Sequence, residues 1–385
     1  MNNIPQELAA LQEQHSYRYR RILQSPQSTE VTIDGKRYTS FCSNDYLGLA
    51  NDGRVCQAAK DAINSFGVGS GASQLISGYT SVHAKLEKQL AEFFGFEKVV
   101  LFSSGYLANL GVISTFSNKN TLILEDRLNH ASLIDAAKYT GASLKRYRHC
   151  EYSHAEEIID KETPKSLLLA SDGVFSMEGT IASLKKLCVL KKRHNGFLII
   201  DDAHGVGVLG ANGKGILEHE SIDPHNIDIL VGTLGKSFGV SGAYVCGKTD
   251  TIEYLIQKAR SLIYTTSPPP ALMAASSKSL EIIINEPERR KRLQENINYF
   301  HNAVKHTGLR LEGSTTAIQT IVLGDNQKAN KFSQELEKRG ILILAIRPPT
   351  VPPNTARLRI TLCSGHTHAQ IDRLVTTMSE ISSSM

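Results

Sequence analysis

Five short segments carry residue types capable of chemistry, and each lies at or just beyond the end of an apolar run. Ser103-Ser104-Gly105-Tyr106 follows KVVLF (98–102), and Asn129-His130 comes soon after TLILE (121–125). Asp172 and Ser176 follow KSLLLAS (165–171). Asp201-Asp202-Ala203-His204 straddles the end of GFLIID (196–201), and Thr233-Leu-Gly-Lys236-Ser237 does the same for IDILVGT (227–233). One Ser, Asn, Asp or Thr after a strand is ordinarily a helix cap. Five such ends gathered at one mouth, with a lysine, aspartates and two histidines among them, exceed what capping requires. A lysine in the Gly-flanked loop Gly235-Lys236 can approach a carbonyl and form a Schiff base. An aspartate emerging from a buried strand, Asp201, can hold a positive charge on a pyridinium nitrogen and keep that ring an electron sink. The thirty-five residues from Asp201 to Lys236 leave room for one crossover and one strand. Ser104-Gly105-Tyr106 opens a helix, YLANLGVIST, whose first N–H groups suit a phosphate. His130 is placed to stack on the ring. A lone His204 would read as a satisfied core histidine, but its three-residue spacing from Asp201 argues for a hydrogen bond to a ring hydroxyl. These requirements are those of pyridoxal phosphate.

Two other patterns imitate nucleotide sites. Gly205-Val-Gly207-Val-Leu-Gly210 has the glycine spacing of a dinucleotide fingerprint. However, Asp201, Asp202 and His204 stand between strand and glycines, and the continuation ANGKGIL is loop rather than apolar helix. Gly232-Thr-Leu-Gly235-Lys236-Ser237 resembles the end of a phosphate loop, but that loop would need glycine where Leu230 stands.

The elements that must position these residues follow from the rhythm of the chain. The runs already named, together with SLKRY (143–147) and GAYVCG (242–247), give seven strands, most of them separated by helix-period sequence. That alternation predicts an α/β fold with a mostly parallel seven-stranded sheet and helices on both faces. In VTIDGKRYTSF (31–41), Asp34-Gly35 between alternating apolar residues predicts a hairpin. Helical sequence runs from Thr251 to about Lys305, interrupted at Ser-Pro-Pro-Pro (267–270) and Pro287. The tail offers strands TAIQTIVLG (316–324), ILILAIR (341–347) and ARLRITL (356–362) around a helix over 327–338, and a last helix from about Thr367. The division expected is an N-terminal helix and hairpin arm (1–50), a large cofactor-binding domain (51–280) and a small α+β C-terminal domain (281–385).

Composition excludes several classes. The chain has 385 residues, 41% of them hydrophobic, and 43 Lys+Arg against 38 Asp+Glu give a net charge of +5. This is globular composition, and so weak a basic excess is no nucleic-acid signature. No apolar run approaches the ~18 residues of a membrane span. The start, MNNIPQELAALQEQ, has no basic segment followed by an apolar one, so a secretory signal is not expected. Six scattered cysteines show no metal-binding spacing and suit reduced thiols, so the expectation is a cytoplasmic protein without a metal. Lys185-Lys186, Lys191-Lys192-Arg193 and Glu288-Arg289-Arg290-Lys291-Arg292 read as solvated helix faces, one of which could meet the phosphates of CoA or an acidic carrier protein.

The segments SNDYLGLA (43–50), GSGASQLISGYTSVHAKLEKQLAEFFG (69–95), SSGYLAN (103–109), SDGVFSMEGTIASL (171–184), DDAHGVGVLG (201–210) and GTLGKSFGVSGAYVCG (232–247) resemble the pyridoxal-phosphate-dependent α-oxoamine synthases. The similarity covers roughly residues 15 to 365. It implies fold type I, and an acyltransferase that condenses an amino acid with an acyl thioester and releases CO2. AIRPPTVPPNTARLRITL (345–362) is similar to the biotin-pathway branch, which implies L-alanine and a pimeloyl thioester as substrates, carried on CoA or a carrier protein. Other branches use glycine or serine. By this resemblance Lys236 is the covalent lysine and the base at Cα, Asp201 pairs with the ring nitrogen, and His130 stacks on the ring. His204 and Ser176 reach the ring oxygen, while Gly105, Tyr106 and Thr233 serve the phosphate end. Thr265 and Thr266 would be offered to a neighbouring subunit, implying a homodimer. Arg347, stiffened by Pro348-Pro349, would hold the substrate carboxylate with Asn44 as helper; Thr350 and Arg18 would lie near the substrate, with Arg20 and Arg21 beside Arg18 as alternatives. Asp172 is open between an acyl-substrate contact and a cap.

Overall fold

The seven apolar runs become seven strands of one sheet. Described here by a computed structural model that covers residues 3–305, 307–348 and 350–385, the chain leaves Pro349 of the Arg-Pro-Pro-Thr segment outside the described residues. The strands are β1 (Glu30–Ile33), β2 (Lys36–Ser40), β3 (Lys98–Phe102), β4 (Leu122–Asp126), β5 (Ser143–Tyr147), β6 (Leu167–Asp172) and β7 (Phe197–Asp201). They continue with β8 (Ile229–Thr233), β9 (Ala243–Gly247), β10 (Ile318–Gly324), β11 (Ile341–Leu342), β12 (Ala345–Ile346) and β13 (Ala356–Thr361). The chain divides into two units. One comprises 1–51, 176–180 and 291–385; the other comprises 52–175 and 181–290.

The second unit is built on a sheet of order β3-β9-β8-β7-β6-β4-β5. All its pairings are parallel except those of β9, which runs antiparallel to both β3 and β8. A parallel neighbour needs a crossover of a dozen residues or more, whereas residues 234–242 are too few for one, so the chain after β8 must turn back. β6 is buried along its whole length, and β7 from its second residue on, as expected of strands with both faces covered. One face packs Ile123, Leu168, Ile199, Val231 and Val245 against Val112, Leu133 and Ala136. Burying this apolar surface is the main stabilising term of the unit.

The first unit holds two three-stranded sheets, β1-β2-β11 and β10-β13-β12. The expected hairpin forms, with Asp34 (φ 48°) and Gly35 (φ 72°) both left-handed as a two-residue turn of this kind requires. ILILAIR is not one strand. Ile341-Leu342 pairs parallel with Thr39-Ser40 of β2, and Ala345-Ile346 pairs antiparallel with β13. Between them Ile343 is buried and Leu344 is exposed, so the run passes from one sheet to the other. Every residue of β13 is buried, including Arg357 and Arg359.

Candidate active site

Because β3 runs parallel to β8 through the reversed β9, the carboxyl ends of β3, β4, β6, β7 and β8 lie along one edge of the sheet, where open α/β sheets bind ligands. Asp172 and Asp201 are register partners at that edge. Asp201 is 7% exposed. Its Oδ2 accepts from Asn109 Nδ2 at 2.6 Å and its Oδ1 from the Ala203 N–H at 3.0 Å. The Asp172 Oδ2 accepts from the His130 N–H at 2.9 Å, which ties the end of β6 to the residue that caps the helix Ala131–Tyr139. Burial, reinforced by the charge of Asp201, pushes the Asp172 carboxyl well above the usual range. Asn129 ties the same turn to β6, donating to the Ala170 carbonyl at 2.8 Å and accepting from the Asp172 N–H at 3.1 Å.

Lys236 sits on the nine-residue connection between β8 and β9, with Nζ 2.7 Å from His204 Nε2. Thr233 pins that connection: its hydroxyl donates to the Gly242 carbonyl at 3.1 Å and accepts from the Gly235 N–H at 3.1 Å. His130 caps the helix Ala131–Tyr139, and its Nδ1 lies 2.7 Å from Ser132 Oγ. Burial holds its imidazole below the ordinary histidine range, against the pull of Asp201. The helix Gly105–Phe116 begins at the end of β3. Its N-cap Ser104 accepts from the Leu107 N–H, which leaves the amides of Gly105 and Tyr106 without an intrahelical acceptor. The Tyr106 hydroxyl donates to Asp135 Oδ2 at 2.7 Å, which fixes the ring beside this helix end.

The glycines after β7 have a local cause. Asp202 is fully buried and accepts from the Ile216 N–H at 2.7 Å. A Cβ on Gly205 would stand 2.1 Å from its Oδ1, and one on Gly215 1.9 Å from its Oδ2. Within the run that imitates a dinucleotide fingerprint, Gly205 is thus held against Asp202, and a Cβ on Gly210 would stand 2.2 Å from Glu218 Oε2, so these glycines make room for the protein's own carboxyl groups.

Thr265 and Thr266 occupy the loop before the helix Pro270–Asn285. Thr266 forms an isolated bridge with Ser73 and accepts from Ser103 Oγ through its carbonyl at 3.1 Å. Of the run 288–292, Glu288, Lys291 and Arg292 are exposed as a solvated helix face should be, and Arg290 departs from it. Arg290 is 7% exposed and donates to the carbonyls of Ile283 and Ala211, because the helix buries that side.

The remaining expected residues belong to the first unit. Arg18 Nη2 donates to Thr350 Oγ1 at 3.2 Å. Arg347 donates to the carbonyls of His15 and Tyr17. Tyr17, Arg18, Asn330, Arg347 and Thr350 line a cavity of about 430 Å³. Asn44, expected beside Arg347, instead accepts through Oδ1 from Arg359 Nη2 at 3.0 Å. Arg359 also donates to the Ser176 carbonyl at 2.6 Å and to Thr361 Oγ1 at 2.8 Å. Its neighbour Arg357 is paired with buried Glu178 at 3.0 Å.

The sequence reading missed Asn109, Ser132 and Arg359. Signals existed for each: one amide in an otherwise apolar helix face, a hydroxyl two residues beyond a site histidine, and arginines alternating with aliphatic residues along a buried strand.

The donor set of the second unit fits pyridoxal phosphate. A buried carboxylate suits a protonated ring nitrogen, an amine lies on a fixed loop, a histidine caps the next helix, and a twelve-residue helix opens with amides that have no intrahelical acceptor. Comparison with known proteins agrees. The profile of the aminotransferase class I and II family matches residues 36–378. Curated relatives named 8-amino-7-oxononanoate synthase include that of Stutzerimonas stutzeri, 47% identical over 98% of this chain and 96% of its own. That of Methylococcus capsulatus is 46% identical over 97% and 96%. Among solved structures, a serine palmitoyltransferase of S. paucimobilis with a bound PLP–myriocin aldimine superposes with TM-score 0.94 at 30% identity, covering 100% of this chain and 97% of its own. The 8-amino-7-oxononanoate synthase of Francisella tularensis superposes with TM-score 0.80 at 34% identity, covering 90% and 98%. Fold, donor set and these likenesses together place the chain in the class I and II aminotransferase family of pyridoxal-phosphate-dependent enzymes.

Proposed function

We propose that the enzyme condenses L-alanine with a pimeloyl thioester to give 8-amino-7-oxononanoate, CO2 and free thiol, a step of biotin biosynthesis. The observation that carries this reading is identity of 46–47% along nearly the whole chain to enzymes named for that product, with a lysine, two histidines and an aspartate at the strand ends.

Bound at the strand ends, pyridoxal phosphate supplies an exchangeable carbonyl carbon and a ring that accepts electrons from the substrate Cα. The protein supplies the rest. Asp201 would hold the proton on the ring nitrogen, and His130 would lie against the ring face. Lys236 would be the residue that carries the cofactor's carbonyl carbon, and its Nζ, once free, would take the substrate Cα proton. His204, 2.7 Å away, keeps that amine oriented and shares its proton. The amides of Gly105 and Tyr106 face the phosphate, with Thr233 beside them. Ser176 and His204 attend the ring oxygen. Arg347 binds the substrate carboxylate, a guanidinium being the side chain suited to that group, and Thr350 and Arg18 border the acyl substrate. Asn44 acts with Arg359. Thr265 and Thr266 complete a phosphate site in a second copy, so the working form is a homodimer. CoA and an acyl carrier protein are both admissible thioester donors, and a cytoplasmic location suits such substrates.

The test is thiol and CO2 release across alanine, glycine and serine, each with pimeloyl, acetyl and palmitoyl thioesters. Alanine with the pimeloyl thioester is expected to dominate. A preference for glycine with the acetyl thioester would reject the proposed substrates and leave the family untouched.

A further inference from the structure

Four side chains of the second unit form one hydrogen-bonded chain: Asp201 Oδ2 to Asn109 Nδ2 (2.6 Å), Asn109 Nδ2 to Ser132 Oγ (2.8 Å), and Ser132 Oγ to His130 Nδ1 (2.7 Å). Its two ends are the residues assigned above to the ring nitrogen and the ring face. Asn109, Ser132 and Asp201 are all buried, so no bulk water competes for the bonds among them, while His130 stands at the exposed end.

The direction of every proton in this chain follows from which groups can donate. A carboxylate only accepts, so Asn109 must turn its amide nitrogen toward Asp201. The same nitrogen gives its second N–H to Ser132 Oγ. The orientation leaves Asn109 Oδ1 buried with no hydrogen-bond partner among the described residues, a cost the residue would escape if the other orientation served. Having accepted from Asn109, the Ser132 hydroxyl gives its own proton to His130 Nδ1. That nitrogen also accepts from the Ser132 backbone N–H at 3.3 Å, so it presents a lone pair and not a proton. The remaining proton of a neutral imidazole is then on Nε2.

We propose that Asn109 and Ser132 are positioning residues that transmit the charge of Asp201 to His130 and fix its ring as the neutral Nε2–H tautomer. The inference rests on the proposed roles of Asp201 and His130 toward the cofactor ring. It gives the chain a purpose: the ionised Asp201 that holds a cationic ring nitrogen also secures a neutral, oriented imidazole to stack there, where an imidazolium would repel. Were Asp201 protonated, the amide would turn over, Ser132 would donate to Asn109, and the ring proton would move to Nδ1. The charged groups bearing on His130 are Asp201, Asp135 and Lys236, with Asp172 at its backbone N–H.

The test is the tautomer itself. Protein carrying ring-¹⁵N histidine is studied by NMR with and without pyridoxal phosphate, the His130 signals being assigned by their loss in His130→Gln. At neutral pH the native protein is expected to show a single protonated nitrogen, Nε2. Ser132→Ala and Asn109→Leu are expected to let the Nδ1–H form appear, and Ser132→Thr to restore the native pattern. A native Nδ1–H ring overturns the proposal, as does an unchanged tautomer in Ser132→Ala. Should Asn109→Leu fail to fold, the native, Ser132→Ala and Ser132→Thr spectra decide alone. The reading without cofactor does not depend on the reaction: an Nε2–H ring in a protein that gives no cofactor absorbance would reject the proposed function and keep the relay.

Discussion

The two units handle buried polar groups in different ways. At the ends of the parallel strands, side chains meet side chains: Lys236 with His204, Asp201 with Asn109, Ser132 with His130. Such contacts hold protons that can move or be redistributed. In the other unit, guanidinium groups are fixed largely on backbone carbonyls, those of His15, Tyr17, Thr355 and Ser176, with Glu178, Asn44 and Thr361 completing their shells. A carbonyl cannot titrate, so this arrangement keeps a permanent cation in place. On the proposed roles, proton chemistry falls to the ends of the seven-stranded sheet, and most carbonyl-bound guanidinium groups named here to the other unit, with Arg290 the exception.

The sharpest way to break the contrast is Lys236→Ala. The fold is expected to persist while thiol and CO2 release falls at least ~10⁴-fold, since base and covalent attachment vanish together. Turnover near the native rate would remove the lysine from the chemistry. Asp201→Asn comes next, with an expected loss of about 10²–10³-fold in kcat from the weaker electrostatic support of the ring. Cofactor absorbance should confirm that the variant is loaded. On the other sheet the largest effect should be on stability and not on rate. Arg357→Met strands Glu178 in a buried site, and the expected cost is about 3–5 kcal/mol in urea denaturation. Arg347→Ala should raise KM for the amino acid about tenfold or more with a smaller change in kcat, as expected on losing one charge-assisted contact.

The smallest effects concern pH, and they have opposite signs in the two units. Burial pushes the Glu125 carboxyl on β4 up to about 8 from an ordinary 4.5, and neither of its oxygens has a hydrogen-bond partner among the described residues. The folded form then binds about one proton more than the unfolded chain between these values, so stability declines as pH rises from 4.5 to 8. Burial pushes His366 down to about 4 from 6.5, so there the unfolded chain binds the extra proton. Stability from that site is lost as pH falls from 6.5 toward 4. Peptide-resolved hydrogen exchange should show β4 loosening toward alkaline pH and the 361–367 turn loosening toward acid. Glu125→Gln should abolish the first trend and leave the second.

Legibility in the sequence follows the same division. The strands of the seven-stranded sheet could be read because most of them are short apolar runs, β5 (SLKRY) being the exception, and their ends could be read because Lys236, Asp201 and His130 are unusual at such positions. Asn109 and Ser132 bind the side chains of site residues, and their types are common in helices and caps, so the local signals they carry are weak. In the other unit, ILILAIR looks like a single strand because most of its residues suit one; its division between β11 and β12 depends on partners three hundred residues earlier and a dozen later. Asn44 was assigned to Arg347 although Arg359 holds it, since arginine partners that are distant in sequence leave no periodic trace.

The reversed strand β9 also bears on time scale. Lys236 hangs from a short strap whose two ends are locked into strands paired residue for residue from Thr233–Ala243 to Ile229–Gly247. The strap has little slack, so its backbone is a pivot, and the amine must travel by rotation about the lysine's own side-chain bonds. Such rotations take picoseconds to nanoseconds, far faster than the motion of a loop or lid. On the role proposed for Lys236, both its duties would be swings of one arm, with no rearrangement of the chain that carries it.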